Sequence, residues 1–140
     1  MDYETVDAGD FGRSLTGIGL NLVVRDVRTT AAFLTAVFGM RAHRVSADFA
    51  IMTHGREVFQ LHSDGAYANH PLLGLLPEAG ARGAGLEIQL YETDPDEAVE
   101  RARAVEDAMI LQEPANKPHG LREAYILSAD GYAWVPSRRL

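Results

Sequence analysis

The chain has 140 residues, enough for one domain with a substantial core and too few for two ordinary ones. It contains no cysteine, which excludes disulfides, thiolate nucleophiles and Cys-ligated metals. The net charge of −7 disfavours nucleic acid as a partner, because phosphate binding needs clustered Lys and Arg, and it is compatible with a cationic ligand. No apolar run approaches the ~18 residues of a membrane span, and residues 1–14 lack the apolar core of a signal peptide. We therefore expect a cytoplasmic protein with no membrane partner.

The first half of the chain predicts a strand, a helix and then three strands. Residues 18–25 alternate in polarity as a half-buried strand does. Asp26 or Thr29 can then cap a helix, and Gly39 is suited to end it, since glycine commonly follows the last helical residue. The three strands that follow are predicted at 40–47, 49–54 and 57–63.

The second half repeats this pattern. Residues 86–98 match residues 18–30 position by position, with Gly19 over Glu87 and Asp26 over Asp94. Asp94 is a strong N-cap, followed by a helix to about residue 107. A strand at 108–112 precedes a proline-rich loop at 113–120, and a tight turn at 128–131 joins the last two strands, predicted at 121–127 and 132–135.

The sequence thus predicts an α+β protein with two tandem βαβββ modules related by a pseudo-twofold axis. We expect curled mixed sheets that form a cleft, with the helices on the outer face. We predict an N-terminal tail or packed arm at 1–14, followed by a first module at about 15–63 and a linker at 64–84. A second module follows at about 85–136, and a C-terminal tail at 137–140.

Polar residues share the strand faces that point away from the predicted helices. Helices cover the more apolar face of such a sheet, so the opposite face carries the other residues of each alternating strand. If the two modules face each other across the axis, they form a cleft lined by Asn21, Gln60, His62, Glu87, Gln89 and Tyr91. The alternative is that these residues are the solvated side of an ordinary half-buried sheet. The alternation also places Trp134 in the core.

Four segments carry a resemblance to a known group of proteins. They read AAFLTAVFGM (31–40), EVFQLHSDG (57–65), GLEIQLYETDPDEAVERA (85–102) and PHGLREAYILSADGYAWVP (118–136). In these segments the chain resembles the vicinal oxygen chelate superfamily, which includes glyoxalase I, extradiol dioxygenases, fosfomycin-resistance enzymes and bleomycin-resistance proteins. The turn SADG departs mildly from the DPDG type of that group. The resemblance implies a homodimer whose clefts hold a small molecule.

The resemblance also implies where a metal would bind. Metal-using members place one ligand on each of four strands, and the corresponding positions hold Gly19, Gln60, Glu87 and Val135. Gly19 and Val135 have no donor side chain, and Gln60 offers only a neutral amide. A catalytic cation usually needs about three protein ligands, so we expect no metal cofactor.

Glu87 is the strongest candidate for chemistry. It could act as a general base or acid, pair with a cationic ligand, or simply face solvent. His62 could be its acid or base partner, or a histidine at the rim without a role. Arg122 could hold an anionic group or brace the last hairpin. The remaining candidates are predicted to contact a ligand: Asn21, Gln60, Gln89, Tyr91, His119 and Tyr125, together with Arg122.

These residues favour a binding protein of the bleomycin-resistance type, which would hold a small organic molecule without a catalytic metal. The alternative is a lyase or isomerase of the glyoxalase superfamily that uses Glu87 as a general base. A metal-dependent glyoxalase or dioxygenase is a third and weaker hypothesis. The residues leave the choice between enzyme and binding protein open, and fold alone does not establish an activity.

Overall fold

The computed structural model describes residues 1–140, which form two compact units. One unit comprises Met1–Thr35 and Gly39–Leu75, and the other comprises Ala36–Phe38 and Leu76–Leu140. Each contains a four-stranded mixed sheet, and the chain has three α-helices. The predicted α+β class and the two similar modules are confirmed. None of the helices has the length and apolarity that crossing a bilayer requires.

The first unit is built on the sheet order β1-β4-β3-β2. Its elements are α1 (Ala8–Ser14), β1 (Asn21–Val24), α2 (Val27–Phe38), β2 (Arg41–His43), β3 (Phe49–His54) and β4 (Glu57–Ser63). Strand β1 runs parallel to β4, and the other pairs are antiparallel. The ends of α2 are confirmed as predicted: the Asp26 side chain accepts a hydrogen bond from the Thr29 backbone at 2.9 Å, and Gly39 adopts a left-handed φ of 69°.

The second unit has the equivalent sheet order β5-β8-β7-β6. Its elements are β5 (Glu87–Leu90), α3 (Pro95–Ala102), β6 (Met109–Asn116), β7 (Leu121–Leu127) and β8 (Ala133–Arg139). Strand β5 runs parallel to β8, and α3 packs on β6, β7 and β8. Trp134 is fully buried, as predicted, and its indole Nε1 donates to Ser128 Oγ at 3.2 Å, which satisfies its one polar group.

Proline positions caused two errors of prediction in this unit. Residues 113–116, predicted to start a loop, continue β6, because β6 lies at the sheet edge and pairs only with β7. The register is irregular around Pro114, so its missing N–H costs little there. Strand β8 continues beyond the predicted end at 135 to Arg139, and its pairs with β7 skip Pro136. Residues 137–139, assigned to the tail in the sequence prediction, are therefore strand residues.

Two segments predicted as tail and linker contain regular structure. In the N-terminal segment α1 forms, and Tyr3 places its ring edge-on to the buried Phe11 at 5.9 Å and 5.4 Å from the ring of His43. The segment therefore packs within the first unit. Residues 64–84 include two short 3-10 helices, Gly65–Tyr67 and Pro71–Leu75.

Removal of either matched N-cap should destabilise the protein. Asp26→Ala and Asp94→Ala each delete a side-chain acceptor at a helix start, which typically costs about 1 kcal/mol of unfolding free energy. The Thr29 backbone hydrogen bond lowers the pKa of Asp26, so its contribution is present at neutral pH and is lost as the pH falls below the ordinary value of 3.8. Urea unfolding measures both effects, with the exposed Asp107→Ala as control. Equal stability of all three variants would contradict the assignment.

Candidate functional site

Three of the predicted site residues meet on one face of the first sheet. Asn21 on β1 lies beside Gln60 on β4 because these strands pair in parallel. His62 lies two residues further along β4 and so shares that face. His62 Nε2 is 3.3 Å from Asn21 Oδ1 and 3.2 Å from Gln60 Oε1. The structure thus brings Asn21, Gln60 and His62 into one hydrogen-bonded cluster.

Aromatic rings surround His62. Its ring centre lies 5.3 Å from that of Phe49 and 5.1 Å from that of Tyr67, which in turn stacks on His70 at 4.5 Å. Burial lowers the pKa of His62 below its ordinary value of 6.5, which favours the neutral ring at pH 7. With two amide oxygens next to Nε2, the tautomer that carries hydrogen on Nε2 is favoured, and Nδ1 is then an acceptor.

A groove of about 550 Å³ opens beside this cluster, within the first unit. The loop at 14–20 and the N-terminal Tyr3 form one side, and the starts of β1 and β4 form the other. Asn21 and Gln60 line it, and so do a cation, Arg56, and an anion, Glu57. Its charged groups are therefore of both signs.

The second unit has a polar network that the sequence analysis missed. Glu123 on β7 is only 1% exposed. Its Oε2 lies 3.0 Å from the hydroxyl of the buried Ser137, and its Oε1 lies 3.0 Å from His119 Nε2. Ser137 Oγ is also 2.8 Å from the side-chain amide of Gln89. The contact with Gln89 is to its amide oxygen Oε1, so both neighbours are acceptors, and the hydroxyl donates its one hydrogen to one of them at a time.

The network occupies the same places in the second unit as the His62 cluster does in the first. Asn21 pairs with Gln60 on the last strand of its unit, and Gln89 pairs with Val135. His62 and Ser137 each follow two residues later and contact that first-strand amide. The partner strand places Phe49 opposite His62 and Glu123 opposite Ser137. The pairing of the last two strands would have pointed to Glu123 if residue 137 had been predicted as part of the last strand.

Tyr125 shares the face of Glu123 and Gln89. Burial raises the pKa of the Tyr125 hydroxyl, and the negative charges of Glu87 and Glu123 raise it further. Tyr125 is therefore a neutral phenol at physiological pH. The Lys117 ammonium lies 5.3 Å from the centre of its ring. His119 joins this face through Glu123, whereas Glu87 and Tyr91 are exposed.

Arg122 lies apart from the other predicted residues. Its guanidinium forms a two-pronged ion pair with Asp96 in the first turn of α3, at 2.8 and 2.9 Å, and a further hydrogen bond to Asn116 Oδ1 at 3.0 Å. This pair lowers the pKa of Asp96 and raises that of Arg122. The contacts favour the bracing role for Arg122, because they hold α3 to β7 on the side opposite Glu123.

A second groove, of about 570 Å³, lies within the second unit. Segment 81–85 forms one wall because it packs directly on the turn at 128–132. A Cβ on Gly83 would lie 2.6 Å from the Cα of Tyr132, and the Arg82 N–H donates to the Asp130 carbonyl at 2.6 Å. Glu87 lines this groove at the start of β5.

No family model matches the chain, and no curated protein matches it in sequence. Solved structures match its fold. A glyoxalase/bleomycin resistance protein/dioxygenase family enzyme from Burkholderia phytofirmans PsJN aligns with a TM-score of 0.74 at 19% identity, over 87% of this chain and 97% of that one. The chain has the vicinal oxygen chelate fold. The fold that the four sequence segments implied is thereby confirmed.

Two further solved structures share this fold. TioX from Micromonospora sp. ML1 aligns with a TM-score of 0.64 at 23% identity, over 89% of this chain and 99% of that one. Lactoylglutathione lyase from Agrobacterium tumefaciens aligns with a TM-score of 0.62 at 22% identity, over 88% of this chain and 92% of that one. Similarity at these identities shows the fold and leaves the activity open.

The side chains of this chain do not fit the divalent cation that metal-using members of the fold hold. No group of three or more His, Asp or Glu side chains comes together anywhere in residues 1–140 in a way that could hold a metal ion. Of the four positions implied by the resemblance, Gly19 and Val135 have no donor side chain, and Val135 is fully buried. The amide of Gln60 is already engaged with His62.

Ser137→Ala tests the buried network. The substitution leaves a buried Glu123 oxygen and the Gln89 amide without their common partner, so we expect a loss of about 1–3 kcal/mol of unfolding free energy. Thr16→Ala, at an exposed position in the loop after α1, is the control and should change stability by less than about 0.5 kcal/mol. Chemical denaturation measures both. A loss no larger than that of the control would show that the network contributes nothing.

His62 should make the protein less stable in mild acid. Its folded-state pKa lies below the ordinary 6.5, so the unfolded chain takes up a proton more readily as the pH falls, and stability decreases from pH 6.5 towards the folded pKa. We expect the stability difference between wild type and His62→Gln to move against the wild type between pH 7.5 and 5.5. An NMR titration of the His62 ring should give a midpoint below 6.5. A midpoint at or above 6.5 would refute the burial effect.

Proposed function

We propose that the protein binds a small organic molecule on its polar sheet faces without a catalytic metal. The missing donor set carries this proposal: a scaffold whose metal-using members need ligands on four strands has Gly19 and Val135 at two of those positions. The faces are nevertheless polar and structured, through the clusters around His62 and Glu123. Such features support binding of an organic ligand by hydrogen bonds and ring contacts.

The grooves are large enough for this role. Their volumes of about 550 and 570 Å³ fall within the ~300–1,000 Å³ typical of small-molecule sites. The first is lined by neutral amides, next to the ring of His62, together with Arg56 and Glu57. The second is lined by small and apolar residues with one carboxylate. Binding at a homodimer interface and a cytoplasmic location stay predictions of the sequence.

A lyase or isomerase that uses Glu87 as base has less support. Glu87 is exposed and forms no hydrogen bond or ion pair with another side chain. A general base is usually positioned by a neighbouring group and partly shielded from water. His62, its expected partner, is instead bonded to Asn21 and Gln60 in the first unit.

Metal titration tests the first part of the proposal. Protein purified without a His tag should contain no stoichiometric metal by elemental analysis, and calorimetric titration with Ni²⁺, Zn²⁺ and Mn²⁺ should show no tight site. The physical reason is that one carboxylate and one amide cannot replace three ligands. Stoichiometric binding that Glu87→Gln abolishes would contradict the proposal.

Ligand-observed NMR with a library of small organic compounds tests the second part. We expect compounds whose binding is weakened at least tenfold by His62→Ala or Gln89→Ala, since each substitution removes a polar group from one sheet face. Glu97→Ala on the exposed side of α3 is the control and should leave binding unchanged. The proposal fails if no compound binds, or if the two face variants bind every compound as the wild type does.

A further inference from the structure

The groove of the second unit has an unusual lining. Glu87 is its one charged residue, and every other lining residue is glycine, alanine or leucine. The apolar surface comes from Leu86, Leu111 and Leu127, and Leu111 is 61% exposed. An apolar groove with a single carboxylate at its edge is complementary to a molecule with an apolar body and one positive charge.

The carboxylate of Glu87 has no cation of its own. Two basic residues of this unit have other acidic partners: Arg139 faces Glu92 at 3.9 Å, and Arg122 pairs with Asp96. Lys117 lies over the ring of Tyr125. Glu87 itself is available in the groove wall, with all its acceptor positions open to a ligand or to water.

Further negative charge lies on the same sheet. Glu123 is buried next to Ser137, and both Glu87 and Glu123 act on the phenol of Tyr125. The chain as a whole carries a net charge of −7, which favours the approach of a cation.

We infer that the groove of the second unit binds an organic amine, with the ammonium group on Glu87 and the apolar body on Leu86, Leu111 and Leu127. The inference rests on the proposed function and adds the ligand class. The groove of the first unit does not share this preference: it has Gly19 at the position that matches Glu87, and its lining includes Arg56 as well as Glu57.

Three fluorescent probes of nearly equal shape and different charge test the inference. They are 1-naphthylmethylamine, which is a cation at pH 7, the neutral 1-naphthalenemethanol, and the anion 1-naphthoate. Fluorescence titration of the full chain should give the tightest binding for the amine, about tenfold tighter than the alcohol, because an exposed ion pair that becomes partly covered by the ligand contributes a factor of this order. The anion should bind most weakly.

Two variants with matched controls locate the effect. Glu87→Gln should bring the affinity for the amine down to that for the alcohol and leave the alcohol unchanged. Glu106→Gln makes the same change in net charge outside the groove and should keep the tenfold preference. Leu111→Ala should weaken all three probes, whereas Met109→Ala, also exposed on β6 but outside the groove, should not.

The outcomes separate this inference from the proposed function. If the wild type binds the amine no better than the alcohol, or if Glu87→Gln keeps the preference, the groove does not select a cation. Binding of the alcohol that still depends on Leu111 would then support the proposed function alone. If no probe binds, the inference is wrong, and the library screen with the sheet-face variants decides the proposed function independently.

Discussion

The parallel pairing of the first and last strands of each unit determines which side chains share a sheet face. It sets Asn21 beside Gln60 in one unit and Gln89 beside Val135 in the other. His62 and Ser137 then follow at the same distance along the last strand and contact the amide of the first. A slip of one residue in either pairing would turn these groups to the helix side and expose apolar ones, so the buried face fixes the register.

The two units use this common scaffold for different chemistry. In the first unit, Phe49 lies opposite His62 on the neighbouring strand, and its ring packs against the neutral imidazole. In the second, the equivalent residue is Glu123, a carboxylate held by Ser137. The strand starts differ in the same sense, with Gly19 in one unit and Glu87 in the other. The helix caps and the apolar strand positions under the helices maintain the fold in both units, whereas the residues on the opposite sheet face differ between them.

Local signals predicted most of the fold, and long-range pairing determined what could not be predicted. The ends of α2 follow from Asp26 and Gly39, which act within one turn of the helix. Pro114 misled the prediction, because tolerance of proline depends on a strand being at the sheet edge. Glu123 was missed for a related reason: its surroundings are set by Ser137, which lies 14 residues further along the chain. Arg122 is the neighbour of Glu123 in sequence, but alternation along β7 points it to the opposite face of the sheet, where it meets α3.

Of the two matched strand starts, only that of the second unit carries a carboxylate, Glu87, for a cationic ligand. The most direct test is ¹⁵N–¹H correlation NMR of the labelled protein during addition of 1-naphthylmethylamine. We expect the largest amide shifts at the groove of the second unit, on the starts of β5 and β8 and around Leu111. The matched strand starts around Gly19 and Gln60 should shift little, since Gly19 stands at the position of Glu87 there and the groove carries Arg56 as well as Glu57. Shifts centred on the first unit, or spread evenly over both, would contradict this account.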